Sequence, residues 1–165
     1  MKFEKAKLFL KKENSEEIIE SVLYDDNVEY YTFLRECKAK GYSQVIVTTE
    51  IMMRILREFV IKKGFLVYRI EFAEEDCELE NEIKNLLKNI ETNPAYFADL
   101  LDKIKFLSEQ SSIDIRKVYI KEKYNEGFAP NFYIQSNGIF GVNTESFDDL
   151  SKDICILVAR CLLWW

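Results

Sequence analysis

The chain has 165 residues, 48% of them hydrophobic and 32% charged, a balance that fits one globular domain and excludes a disordered chain. The formal net charge of −6 argues against a generic polyanion binder, because backbone binding to nucleic acid needs clustered Lys and Arg, although a local basic face stays compatible with it. No run reaches the roughly 18–20 apolar residues that span a bilayer, so no membrane segment is expected.

Histidine is absent. That removes Ser-His-Asp and Cys-His nucleophiles, histidine general bases and the commonest metal ligand. The five glycines form neither G-x-x-x-x-G-K-[ST] nor G-x-G-x-x-G, which disfavours P-loop and dinucleotide sites. Cys37, Cys77, Cys155 and Cys161 form no Cys-x-x-Cys pair and read as small buried hydrophobes. Met1 to Lys5 has no long apolar run behind it, so a secretory signal is not expected and the cytoplasm is the default location.

Residues 3–11 favour a strand. Asn14 and Ser15 then read as a cap, with Ile18, Ile19, Val22 and Leu23 as the stripe of a short helix over 15–25. Asp26 and Glu29 have capping-box spacing for a second helix over 27–40, which Gly41 stops. Gln44 to Thr48 is β-branched and apolar on both faces, as a central strand would be. A helix over 50–63 and an alternating strand over 65–72 follow, so the segment reads as a β-α-β unit.

Two helices come next, over 75–90 and from Asn93-Pro94 to 109, as a helical hairpin. A long strand over 113–124 changes its apolar phase between Ile115 and Val118, which predicts a bulge. Asn137-Gly138 predicts a β-hairpin, with Ser136 opposite Ile139 and Ile134 opposite Gly141 in a two-residue turn. Ser146, Asp148 and Asp149 mark the start of a last helix over 147–164. It is amphipathic at first and then apolar nearly all round, which predicts burial. The fold class is therefore α/β merging into α+β. We expect a single domain over 1–165 around a mixed sheet of about five or six strands, with an N-terminal β-α-β unit, a C-terminal β-hairpin and a buried C-terminal helix.

Three constellations carry chemical interest. Glu71, Glu74, Glu75, Asp76, Glu78, Glu80 and Glu82 could hold a hard cation, but acids at a helix start are favoured by the dipole alone, so no metal or cofactor is expected. Lys117, Tyr119, Lys121 and Lys123 are all odd-numbered and would share one strand face, where amines beside an aromatic can hold phosphates and stack a base. The plainer reading is a solvated edge guarded by lysines. Trp164 and Trp165 end the chain beside Leu157, Cys161 and Leu162, and two large aromatics near a terminus point to an interface. The sequence thus predicts a non-catalytic binding module, homodimeric or docked on a protein partner through its last helix. The alternative is a nucleic-acid-associated protein using the lysine strand; a carboxylate-metal nuclease comes third.

Overall fold

The computed structural model describes residues 3–123 and 131–163. In chain order these form β1 (Phe3–Glu13), β2 (Glu16–Leu23), α1 (Tyr30–Ala39), β3 (Tyr42–Gln44), α2 (Thr49–Arg57) and β4 (Phe65–Phe72). Then come α3 (Cys77–Thr92), α4 (Tyr96–Ser111), β5 (Ile115–Glu122), β6 (Asn131–Gln135), β7 (Ile139–Asn143) and α5 (Phe147–Leu162). The described strands make one seven-stranded sheet in the order β2-β1-β7-β6-β5-β4, with β3 also beside β1, and every pairing is antiparallel. No helix among the described residues is long and apolar enough to cross a membrane.

The expected helix over 15–25 is a strand. Asn14 and Ser15 have φ of 51° and 68° and form the two-residue turn of a β1–β2 hairpin, closed by Glu13 opposite Glu16. Positive φ at both turn positions matches the strand twist, and asparagine tolerates it well. Both faces of β2 are partly covered, which explains the misleading stripe. Ile19 packs on the main core and Val22 on a second cluster across the sheet, so apolar residues fall at mixed spacing. The expected cap at Asp26 is also absent. Its carboxylate takes Lys5 at 2.7 Å, and α1 begins at Tyr30.

The 44–48 strand is replaced by the three-residue β3, which pairs with residues 9–11 of β1. Val45 and Val47 do reach the core, but as an extended segment held by a bond from Val47 N to the Ser136 carbonyl at 2.8 Å. Strand, helix and strand thus occur in the expected order, while β3 and β4 pair with different strands and no parallel ladder forms. From α2 the chain passes through one wide turn, Glu58–Lys62, before Gly64 at φ 71° turns it into β4.

One sheet face carries the main core. Ala6 and Leu8 of β1, Val118 and Ile120 of β5, Phe132 and Ile134 of β6, and Phe140 and Val142 of β7 are fully buried there. The apolar stripes of α2, α3, α4 and α5 pack against it. Asp76 caps α3 by accepting from the amides of Glu78 at 2.9 Å and Leu79 at 3.2 Å. On α5, Leu150, Ile154, Leu157, Val158 and Cys161 are buried, and Ser146 stands before the helix without a side-chain capping bond. On the opposite face α1 covers β1 and β2 through Phe9, Phe33 and Cys37, with Val22, Tyr24 and Leu34 around them.

The bulge in β5 is present: Glu71 faces Lys117 and Phe72 faces Ile115, leaving Arg116 extra. The C-terminal hairpin is present in a different register. Phe132 faces Val142, Tyr133 faces Gly141 and Ile134 faces Phe140. Gly138 N donates to the Gln135 carbonyl at 3.0 Å, and Gly138 has φ 84°. This is a turn followed by a left-handed glycine, with three loop residues rather than two. Only this register puts Phe132, Ile134, Phe140 and Val142 together in the core; a slip by one would mix the faces.

Candidate functional site

Beyond the part covered by α1, the second sheet face is built from side chains packed on one another. Strand alternation sends Val118 and Ile120 into the core, and Lys117, Tyr119 and Lys121 to this face. Lys123 lies just past the end of β5. Tyr133 sits opposite Tyr119 on β6, and Arg69 sits opposite it on β4. A second register shift, between Val67 and Arg69, leaves Tyr68 as the extra residue and turns its ring toward Tyr119.

The result is a row of aromatic rings across the sheet. Phe3 and Tyr133 have centroids 6.0 Å apart, Tyr133 and Tyr119 6.0 Å, and Tyr119 and Tyr68 5.6 Å. Cations lie between them. Lys117 Nζ is 4.0 Å from the Tyr133 centroid and 4.7 Å from that of Tyr119. Arg69 stands 5.4 Å from Tyr119, and Lys121 Nζ 5.4 Å from Tyr68. Gly141 makes room for the row: a Cβ there would come within 2.5 Å of the Tyr133 ring, so only glycine lets that ring lie across β7.

Glu71 ties the row to two guanidiniums. Its oxygens accept from the Tyr119 hydroxyl, Arg69 and Arg116, each at 3.1 Å. Partial burial works to raise its pKa, but the bonds from Tyr119 and Arg116 and the charge of Arg69 outweigh it and hold the carboxyl below its ordinary range. Burial raises the pKa of Tyr68 and Tyr133, which keeps both phenols neutral at physiological pH. The face therefore offers flat, uncharged rings with fixed positive charge between them. That chemistry stacks bases and holds phosphates.

Of the residues singled out in the sequence, the structure brings Lys117, Tyr119 and Lys121 together and adds Phe3, Tyr68, Arg69 and Tyr133 from three other strands. Sequence reading missed these four because strand pairing alone makes them neighbours. The available signal was the alternation in residues 131–135, which sets Tyr133 against Phe132 and Ile134. The acidic run is divided among separate roles: Asp76 caps α3, Glu71 holds the arginines, and Glu82 pairs with Lys103 at 2.9 Å. Among the described residues no three carboxylates or thiols are grouped to hold a metal ion.

The expected interface residues divide as well. Leu157 and Cys161 belong to the main core, so they are not available at the surface of one copy, whereas Leu162 is 37% exposed. Trp164 and Trp165 lie outside the described residues. Between β2 and α5 runs a shallow apolar groove of about 200 Å³, where Ile18 and Ile19 face Cys155 and Ile156. No protein-family model, no curated protein and no solved structure matches this chain.

Proposed function

We propose that the protein is a non-catalytic binding module whose open sheet face takes a single-stranded nucleic acid. The observation that carries this reading is the row Phe3, Tyr133, Tyr119 and Tyr68 with Lys117 set 4.0 Å and 4.7 Å from two of its rings. A base stacked on an aromatic ring contributes about 1–3 kcal/mol whatever its identity, and the interleaved cations attract the backbone. With a net charge of −6, binding is expected to be moderate in affinity and sensitive to salt. The test is fluorescence anisotropy with short labelled DNA and RNA strands at low and physiological salt. Tyr119→Ala should weaken binding at every salt concentration, and the pair Lys117→Glu with Lys121→Glu should remove it. No binding by the wild-type protein at low salt would end this reading.

A second reading is self-association. It is favoured by β2, whose outer edge pairs with no strand among the described residues, and by Ile156 of α5, which is 44% exposed beside it. An unpaired edge strand next to exposed apolar side chains is a template for a second copy. Native mass spectrometry tests it: a dimer that Ile156→Glu converts to monomer supports the reading, and a wild-type monomer at micromolar concentration counts against it.

A further inference from the structure

A second concave site lies on the other flank of α1, away from the aromatic row. α1 turns Phe33 and Cys37 into the sheet, so Tyr31, Leu34, Arg35 and Lys38 project along its side. With Phe9 of β1 and the short β3, they enclose a groove of about 450 Å³, within the size range of small-molecule sites. We propose that this groove binds a flat aromatic molecule carrying a single anionic group, a carboxylate or a phosphate.

The apolar part of the argument rests on the floor. Phe9 is buried, and its ring lies 5.4 Å from that of Tyr42 at an interplanar angle of 51°. Tyr31 stands at the rim, 70% exposed. The aromatic surface left open, that of Tyr31 with the half-buried Tyr42, suits a planar ligand more than a branched aliphatic one.

The charge argument rests on the helix wall. Arg35 and Lys38 are three residues apart on one helix face, and among the described residues neither makes an ion pair. The lining residues include no carboxylate, although the whole chain is acidic. The helix dipole explains a cation in the last turn, where Lys38 sits, but not Arg35 a turn earlier. Ser43 and Gln44 on the strand wall add hydroxyl and amide groups for the same ligand. Two cations on the helix wall, beside rings on the floor and rim, suit a planar ligand that carries an anionic group.

The test is an amide NMR titration of the intact protein with naphthalene-2-carboxylate, 2-naphthyl phosphate and the neutral naphthalene-2-carboxamide. The two acids should shift amides within residues 31–44 and saturate at about tenfold lower concentration than the carboxamide, the effect of one charge-assisted contact. The double variant Arg35→Gln with Lys38→Gln alters exposed helix positions and should fold normally; it should bind all three compounds alike. Amide shifts outside this segment only, equal saturation by acid and carboxamide, or an unchanged preference in the double variant would each overturn the proposal. The site shares no residue with the aromatic row, so its outcome is independent of nucleic-acid binding.

Discussion

The Tyr119 hydroxyl donates to Glu71 at 3.1 Å, and this one bond fixes both the ring at the middle of the aromatic row and the carboxylate that neutralises Arg69 and Arg116. Glu71 thus stands where a ligand phosphate would be drawn, between two guanidiniums and a phenol. On the nucleic-acid reading, Glu71→Gln frees the arginines and should tighten binding roughly two- to tenfold, since partly exposed ion pairs are worth up to about 1 kcal/mol each. Glu80→Gln changes the net charge equally from a neighbouring position and should have a much smaller effect. Anisotropy titrations of both variants make the comparison; equal effects would reduce Glu71 to general electrostatics.

Lys7 is fully buried on β1, where its ammonium meets the Asn137 carbonyl and lies 5.6 Å from the Phe9 ring centre. Desolvation pulls its pKa down from 10.5 to about 8. Between these values the unfolded chain binds more protons than the folded one, so stability should rise as pH increases from about 8 to 10.5. The full gain is on the order of 3 kcal/mol. Lys7→Met should stabilise the protein at pH 7 by on the order of 1–3 kcal/mol and abolish most of that rise. Urea unfolding at pH 7 and pH 10 measures both; a wild-type profile flat across this range would contradict the assignment.

Gly138 and Gly141 of one hairpin should respond differently to alanine. At Gly138, φ is 84° and an added Cβ would lie 2.6 Å from the Val45 carbonyl, so Gly138→Ala strains the backbone and should cost well over 1 kcal/mol. Gly141 has no such backbone demand, and the atoms nearest to an added Cβ all belong to the Tyr133 side chain. Gly141→Ala should therefore displace that ring, at a stability cost of about 1–3 kcal/mol, and weaken ligand binding at the sheet face. Thermal unfolding and anisotropy run on both variants separate a defect of fold from a defect of the face.

Asp114 joins α2, α4 and the start of β5. Its Oδ1 accepts from Ser108 at 2.6 Å and from Thr49 at 2.8 Å, while Thr49 Oγ1 accepts from Ile115 N at 3.1 Å. The bonds from Ser108 and Thr49 lower the Asp114 pKa. This contribution to stability is present above the ordinary carboxylate pKa and is lost as pH falls through the lowered folded value. Thr49→Val keeps the shape and removes both hydroxyl bonds at a buried site. It should cost about 1–3 kcal/mol at pH 7 and less at pH 3, as measured by urea unfolding.

The helices were legible because each presents one apolar stripe to a single sheet face. Leu79, Ile83, Leu87 and Ile90 on α3, and Phe97, Leu100, Leu101, Ile104 and Leu107 on α4, were identified from spacing and all contribute to the core. The bulge at Arg116 was legible for the same reason, since a change of apolar phase within a strand has few other causes. β2 was not legible. A strand covered by α5 on one side and α1 on the other loses its alternation, and Asn14-Ser15 can begin a helix or turn a hairpin.

By itself, the sequence determined local matters: the helices α1 to α5, the strands at 65–72 and 115–122, the turn at Gly138, and the absence of histidine chemistry. Each depends on neighbours within a few positions, where periodicity and turn chemistry act directly. Only the tertiary structure decided which strands pair, that all of them run antiparallel, and that Phe3, Tyr68, Tyr119 and Tyr133 form one row. Cross-strand neighbours are chosen by the packing of the whole sheet, and a shift of one residue sends a side chain to the other face.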